Sequence, residues 1–126
     1  MSAFNDLAAM SPLRIWDGVA ARAVQGEDGT MAIVELDPNA LVPEHQHENE
    51  QLGMVIQGTL SFRVAGETKE LGPGATWRIP GDVPHEVRAG PEGAVVIDVF
   101  APARADWRGL GRDKPREPRW PADQAG

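Results

Sequence analysis

Three histidines and a glutamine stand at spacings that could place them around one metal ion. His45 and His47 flank a single residue, and His85 comes much later in the chain, directly after a proline. Alternate residues of a strand point to the same face, so His45 and His47 share a face, and Gln51 joins them if the strand continues. Imidazole nitrogens suit zinc, iron, nickel, manganese and copper. The sequence therefore predicts one divalent metal ion on the three histidines, with Gln51 as a candidate fourth ligand.

A second group of chemically useful residues lies in the apolar segment AVVIDVF, residues 94–100. Asp98 and Phe100 share a strand face with Val96. Burying a lone carboxylate is costly, so Asp98 must face a polar cavity or pair with a cation. Arg104 follows shortly after this segment. It could clamp a bound carboxylate, or it could form an ion pair with Asp98, and the sequence is compatible with either role.

Short strands separated by glycine and proline turns must position these residues. The predicted strands cover residues 31–36, 52–56, 60–64, 68–71, 76–79, 86–88 and 94–100, with one or two edge strands in 14–23. Gln57-Gly58-Thr59 and Gly90-Pro91-Glu92-Gly93 are predicted turns. Because no helical pattern separates the strands, the fold class is predicted to be all-β, a sandwich or barrel rather than βαβ units.

Composition excludes several classes of function. The chain has 126 residues and a net charge of −7, which argues for a single domain and against nucleic acid or anionic membranes as partners. It contains no cysteine, so disulfides, thiolate nucleophiles and cysteine-ligated zinc are ruled out. The sequence shows neither a secretory signal pattern nor an apolar segment of membrane-spanning length, and we expect a cytoplasmic location.

The chain divides into a body and a tail. Residues 1–104 are predicted to form the β-barrel domain with its N-terminal edge strands, and residues 105–126 an irregular, basic, proline-rich tail. The tail either docks on the acidic body, docks on a neighbouring subunit, or stays solvated. Unpaired strand edges invite pairing, so residues 14–23 could support a homodimer.

Two longer segments resemble the signature motifs of the cupin superfamily. The first, HQHENEQLGMVIQG over residues 45–58, has the motif's later ligand position at Gln51. The second, GATWRIPGDVPH over residues 74–85, ends on its ligand, His85. The resemblance implies a single double-stranded β-helix, the jelly-roll barrel of cupins, with its metal held by His45, His47, Gln51 and His85.

The fourth ligand departs from the commonest cupin pattern, which has glutamate where this chain has Gln51. Glu50 stands one position earlier with the opposite parity, and a one-residue bulge would exchange the two, so Glu50 is a reserve ligand. Three histidines and a glutamine leave the positive charge of the ion uncompensated. Such a site favours an anionic substrate whose oxygens the ion polarises, and it is less suited to oxygen activation by iron.

The run VIDVFAPARADW, residues 96–107, resembles the end of the small cupins that open unsaturated uronate sugars in pectin and alginate breakdown. That family uses three histidines and a glutamine, and its working residues map onto Asp98, Phe100 and Arg104. The resemblance implies a uronate carboxylate bound by the metal and Arg104, Asp98 as general acid/base, and Phe100 packed on the sugar ring. Apolar walls are expected from Trp77, Met54 and Phe62.

Other classes of function stay open. The protein could be a metal-bound module that binds or senses a small molecule without turnover. It could also be an iron-dependent dioxygenase, although the neutral Gln51 counts against that chemistry. A sugar-phosphate isomerase would need several basic residues in its cavity, and the candidates are Arg63, Arg78 and Arg88.

Overall fold

The computed structural model describes residues 2–121 and consists almost entirely of antiparallel strands. The strands are β1 (Leu13–Trp16), β2 (Val19–Gln25), β3 (Thr30–Leu36), β4 (Leu41–His45), β5 (Glu50–Val64), β6 (Glu67–Leu71), β7 (Thr76–Ile79) and β8 (His85–Ala101). Two short 3₁₀ turns cover Leu7–Ala9 and Ala105–Gly109. None of the helical segments in this part of the chain has the length and apolar character to cross a membrane. The predicted all-β class is confirmed.

The two long strands, β5 and β8, organise the barrel. They pair with each other along their whole lengths, from Glu50 opposite Ala101 to Val64 opposite His85. One half of the barrel extends from β8 to β3, β2 and β1, and from β5 to β7. The other half extends from β8 to β4 and from β5 to β6. Residues on β5 and β8 therefore reach the interior of both halves.

Both long strands are continuous where the sequence predicted turns, so the predicted turns at 57–59 and 90–93 are wrong. Gly58 lies at a bulge with a φ of 79°, and Gly93 has a φ of 78°. A side chain at Gly58 would clash with the carbonyl oxygen of Gly93. The two glycines allow the strands to bend at one place while their pairing continues, because glycine tolerates both the positive φ and the close approach.

Alternate residues of the strands fill the interior of the barrel, because successive side chains of a strand point to opposite faces. On β8, Val96, Asp98 and Phe100 are buried, whereas Val99 on the other face is 39% exposed. The apolar core draws on inward positions of most strands and includes Ala21, Val34, Val55, Leu60, Phe62, Ile79 and Ala94. The face shared by Asp98 and Phe100 is thus the interior of the barrel. Parity predicted that the two residues share a face, and the structure shows that this face is the inner one.

The C-terminal tail closes over a buried ion pair on the outer face of β2 and β3. Arg22 and Glu35 are 2% and 1% exposed, and their side chains lie 2.8 Å apart. Glu35 also accepts hydrogen bonds from the side chain of Arg116 and the backbone N–H of Arg119, each at 2.8 Å. Arg22 donates to the carbonyl oxygens of Arg116 and Met10. A buried ion pair needs such additional hydrogen bonds to offset desolvation.

The tail also covers the edge of β1. The backbone N–H of Arg14 donates to the carbonyl of Gly111 at 3.0 Å, and that of Asp113 donates to the carbonyl of Pro12 at 2.9 Å. Leu13 and Arg112 form a β-bridge between these bonds. The tail therefore pairs with the start of the edge, at residues 12–14, that the sequence suggested for dimerisation.

Replacing Glu35 by glutamine should lower the free energy of unfolding by about 3 kcal/mol at neutral pH, because Arg22 would stay buried without its counter-charge. Burial by itself would raise the pKa of Glu35, but the hydrogen bonds from Arg119 and Arg116 and the charge of Arg22 hold it below its ordinary value of 4.5. The stabilisation is therefore fully present above pH 4.5 and is lost as the pH falls through the lower folded-state pKa.

Urea unfolding of the wild type and the Glu35→Gln variant should be measured from neutral pH to below pH 4.5. The difference between their free energies of unfolding should shrink in acid. The exposed Glu67 provides the matched control, since Glu67→Gln should change stability by less than about 0.5 kcal/mol. A Glu35→Gln deficit that is the same at every pH would contradict this account.

Candidate metal centre

The three histidines meet beside one cavity of the barrel, which His45 and His85 line. His45 ends β4 and His85 begins β8, and these two residues are direct partners across the adjacent antiparallel strands. His47 lies in the connection between β4 and β5. The candidate ligand atoms of the three side chains all lie within 4.8 Å of one another. The structure therefore brings together residues that are far apart in the sequence, at a separation that suits a shared metal ion.

Each imidazole is oriented by a backbone carbonyl. The distances from Nδ1 to the carbonyl oxygen are 2.9 Å for His45 to Pro43, 3.0 Å for His47 to Asn49, and 2.8 Å for His85 to Val83. A carbonyl oxygen can only accept, so each Nδ1 carries the proton and each Nε2 presents a lone pair. Such bonds fix the tautomer and the ring orientation of metal-binding histidines.

Two features of the centre call for a cation. The buried Nε2 of His85 has no hydrogen-bond partner among residues 2–121. The Nε2 of His47 lies 3.2 Å from Oε1 of Gln51, and with its Nδ1 protonated both atoms are acceptors. Two acceptors at this distance repel unless a positive charge attracts both. Three imidazole nitrogens and one carbonyl oxygen fit a divalent metal ion.

His47 and His85 are also poised in the neutral form that metal binding requires. Burial lowers the pKa of His85 to about 4, assisted by the neighbouring His45 and His47. Burial also lowers the pKa of His47, and the positive charge of Arg104 adds to this effect. At neutral pH both rings therefore offer a lone pair without first losing a proton.

Gln51, and not Glu50, faces the histidines. Its Nε2 donates to Oδ1 of Asp98 at 2.9 Å, and this bond turns Oε1 towards His47. Glu50 points to the other side of β5 and pairs with Arg78 at 3.2 Å. The pairing of β5 with β8 is regular from Glu50 to Val55, so the bulge that would exchange the two residues is not formed. Gln51 remains the predicted fourth ligand.

Asp98 lies beside the metal centre as a buried acid. Its Oδ1 accepts hydrogen bonds from Nε2 of Gln51 at 2.9 Å and from Nε1 of Trp77 at 3.0 Å. Burial raises the pKa of Asp98 to about 6, although these hydrogen bonds and the charge of Arg104 oppose the rise. The sequence left open whether Asp98 faces a polar cavity or pairs with Arg104. Asp98 faces the cavity, and the Asp98–Arg104 ion pair is not formed in the described chain.

Arg104 is held at the cavity between two aromatic rings. Its guanidinium carbon lies 4.7 Å from the ring centroids of Phe100 and of Trp107. Its Nε and Nη2 donate to the carboxylate of Asp106 at 3.1 and 3.0 Å. The third nitrogen, Nη1, makes no hydrogen bond to any residue between 2 and 121. Arg104 is therefore fixed in place with N–H groups available to an anionic ligand.

Asn49 connects the histidine loop to the Arg104 segment, and sequence reasoning missed it. Asn49 is 5% exposed, and its side-chain amide donates to the backbone carbonyl of Pro102 at 2.5 Å. Its backbone carbonyl accepts the hydrogen bond from Nδ1 of His47. The signal that could have found it is its position between the candidate ligands His47 and Gln51. This residue couples the position of the metal centre to that of Arg104.

The cavity has a volume of about 220 Å³, which suits a small molecule. Trp77 and Phe62 line it as predicted, but Met54 does not, because it lies on the outer face of β5 and is 37% exposed. Trp16 and Trp107 line it as well, and neither was expected. Trp107 belongs to the segment assigned to the tail, yet it is 4% exposed and packs against Phe100.

The three arginines that the sequence offered for a phosphate-binding site all point away from the cavity. Arg63 pairs with Glu44 and Glu86, Arg78 pairs with Glu50, and Arg88 donates to the carbonyl of Asn39. Arg104 is the one arginine among the cavity residues of the described chain. The arrangement offers a single guanidinium beside the metal centre, which matches one carboxylate better than a phosphorylated sugar.

Replacing Gln51 by alanine should weaken divalent metal binding by about tenfold or more, since it removes the candidate fourth ligand and the bond to Asp98. Glu50→Ala is the matched control, because Glu50 faces outward, and it should leave the affinity unchanged. Competition titration against a chelator measures both. Loss of affinity in Glu50→Ala with none in Gln51→Ala would contradict this assignment.

Gly53→Ala should break the hydrogen bond between Trp77 and Asp98, because a Cβ at Gly53 would clash with both side chains. We expect a loss of about 2 kcal/mol in the free energy of unfolding and a change in tryptophan fluorescence. Gly72→Ala is the control, since a Cβ there meets no atom within 4 Å. Equal stability of the two variants would show that the close approach at Gly53 is not needed.

Comparisons with known proteins point to one family. A family model described as a cupin domain matches residues 32–100. The pectin degradation protein KdgF of Dickeya dadantii is 29% identical over 93 residues, which cover 72% of this chain and 84% of that protein. The structure of KdgF from Halomonas sp. matches with 28% identity and a TM-score of 0.77, covering 84% of this chain and 98% of that chain.

A second solved structure, an RmlC-like cupin from Shewanella frigidimarina, matches with 25% identity and a TM-score of 0.79. The match covers 85% of this chain and 96% of that chain. The matched family segment contains the three histidines and Gln51, and it ends at Phe100. The chain belongs to the cupin family.

Proposed function

We propose that this cupin is a metal-dependent enzyme that acts on a small sugar acid and opens the ring of unsaturated monouronates to give their linear keto forms. The observation that carries the proposal is the cavity that a buried acid, Asp98, shares with Arg104 and with Gln51 of the candidate metal centre. The relatives named KdgF support it, one of them described as a pectin degradation protein, at 29% and 28% identity.

The chain's own residues account for substrate binding. The carboxylate of a uronate would accept hydrogen bonds from Arg104, whose guanidinium is already oriented by Phe100, Trp107 and Asp106. The metal would be held by His45, His47, His85 and Gln51. When bound, it supplies a Lewis acid that polarises substrate oxygens. Because these ligands are neutral, an anionic substrate would offset the charge of the ion.

Asp98 is placed to move the proton that the reaction requires. Opening the ring is an isomerisation: the hemiacetal hydroxyl loses a proton, its carbon separates from the ring oxygen, and a carbon of the former double bond gains a proton. Both hydrogen bonds to Asp98 end on Oδ1, which leaves Oδ2 free for proton transfer. A pKa of about 6 suits a group that donates and accepts protons near neutral pH.

Aromatic residues would form the sugar-binding wall. Phe100 is buried beside the metal centre, with its ring centroid 5.7 Å from that of His47. Trp77 lines the cavity and also donates to Asp98, so the same side chain would pack on the sugar and orient the carboxylate of Asp98. The flat apolar faces of such rings suit the C–H faces of a sugar.

A homodimer and a cytoplasmic location stay proposals made from the sequence.

The reaction is tested by mixing the metal-loaded protein with an unsaturated monouronate and following the loss of ultraviolet absorbance from the double bond. Asp98→Asn should lower kcat by about a hundredfold or more, because the amide cannot exchange a proton in this way. Arg104→Lys should chiefly raise KM, since lysine cannot reproduce a planar, aromatic-stacked guanidinium.

Glu67→Gln serves as the surface control and should retain wild-type activity. A wild-type rate that does not exceed the spontaneous background with any of the divalent metals would contradict the proposed reaction. If the uronate then raised the melting temperature without being consumed, the cavity would belong to a binding or sensing module instead.

A further inference from the structure

Asp106 stands at the mouth of the cavity and binds one edge of the Arg104 guanidinium. Its Oδ1 accepts a hydrogen bond from Nε at 3.1 Å, and its Oδ2 accepts one from Nη2 at 3.0 Å. Both side chains line the cavity, but that of Asp106 is 65% exposed and that of Arg104 only 11%. Two parallel hydrogen bonds of this kind are how a guanidinium recognises a carboxylate. A carboxylate of the chain itself therefore takes one of the edges at which an acidic ligand could bind.

The other edge of Arg104 is open to a ligand. Nη1 makes no hydrogen bond to any residue between 2 and 121, and Nη2 keeps a second N–H beyond the one that Asp106 accepts. Together these two nitrogens can receive one acidic group through two hydrogen bonds. Because both edges belong to one planar group, a ligand bound there would lie next to the carboxylate of Asp106.

The orientation of Arg104 does not require the charge of Asp106. The guanidinium carbon already lies 4.7 Å from the ring centroids of Phe100 and of Trp107. The backbone N–H of Arg104 also donates to Oγ1 of Thr30 at 2.8 Å. These contacts hold the side chain and the backbone of Arg104 by themselves. An acid at position 106 therefore has an effect beyond positioning, and that effect is electrostatic.

Asp106 cancels the charge of the arginine that faces the ligand. Hydrogen bonds from Arg104 hold the pKa of Asp106 below its ordinary value of 3.8, although burial opposes this shift. The Arg104–Asp106 pair therefore has no net charge at neutral pH. A singly charged ligand still gains the two hydrogen bonds at the open edge. A second charge on the ligand gains nothing more from the pair, because the repulsion from Asp106 offsets the attraction to Arg104, and its desolvation remains a cost.

We propose that Asp106 is a specificity-determining residue that makes the cavity select singly charged acidic groups, such as a carboxylate, over doubly charged groups, such as a phosphate monoester. Arg104 is the one arginine that lines the cavity in the described chain, so its partner determines how much positive charge a ligand meets from the side chains there. The inference rests on the role that the proposed function gives to Arg104, the binding of the ligand's acidic group. It does not rest on the ring-opening reaction.

Titration calorimetry of the metal-loaded protein at pH 8 tests the proposal with three sugars that differ only at carbon 6. Glucuronate has a carboxylate there. Glucose 6-sulfate has a tetrahedral group with one negative charge, and glucose 6-phosphate a tetrahedral group with two, since its second pKa is about 6. None of them contains the ring double bond, so the titration measures binding without turnover. We expect the wild type to bind glucuronate more tightly than glucose 6-phosphate.

Asp106→Asn should tighten the binding of glucose 6-phosphate about tenfold more than that of glucose 6-sulfate. The substitution removes the negative charge but keeps an oxygen that can accept from Nε of Arg104. Asp113→Asn is the matched control, because Asp113 also pairs with an arginine, Arg14, but does not line the cavity. It should leave the ratio of the two affinities unchanged.

Equal effects of Asp106→Asn on the sulfate and the phosphate would overturn the proposal, because a merely structural role changes all ligands alike. A wild type that binds none of the three sugars would overturn it too. The ring-opening assay separates this inference from the reaction. Charge selection that depends on Asp106 without turnover of an unsaturated monouronate would contradict the reaction alone, and turnover with unaltered selection in Asp106→Asn would contradict this inference alone.

Discussion

The hydrogen bond from Gln51 to Asp98 is the contact on which the candidate site depends. It turns the carbonyl oxygen of Gln51 towards His47 and fixes which oxygen of Asp98 is free. The same bond therefore defines the candidate fourth metal ligand and the acid next to it. It forms because β5 and β8 are paired along their full lengths, with Gly53 opposite Asp98. A one-residue slip between these strands would send Asp98 or Gln51 to the outer surface.

The rest of the molecule keeps this contact buried and in register. Gly58 and Gly93 let the two long strands bend together, so one pair of strands serves both halves of the barrel. Asn49 connects the loop of His47 to the segment that carries Arg104. The C-terminal turn adds Trp107 to the cavity wall, and the tail beyond it is tied to the body at Glu35. Residues far from the histidines thus determine the shape of their cavity.

The parts of the site that sequence predicted follow from local periodicity. Alternation along a strand predicted that His45, His47 and Gln51 share one face and that Asp98 and Phe100 share another, and the cupin motifs supplied the association with His85. The inward direction assumed for Met54 was wrong, and parity already opposed it, because Met54 is an odd number of positions from Gln51. Glycine permits a turn or a bend equally well, so only the long-range pairing of β5 with β8 could decide between them. The tail contact through Glu35 and the burial of Trp107 depend on such distant pairing too.

A crystal structure of the metal-loaded protein, with anomalous scattering at the metal edge, tests the central claim most directly. The account predicts one anomalous peak, bonded to Nε2 of His45, His47 and His85 and to Oε1 of Gln51, while Nε2 of Gln51 still donates to Asp98. A metal bound through Glu50, bound through an Nδ1 atom, or absent from the histidines after loading would contradict it.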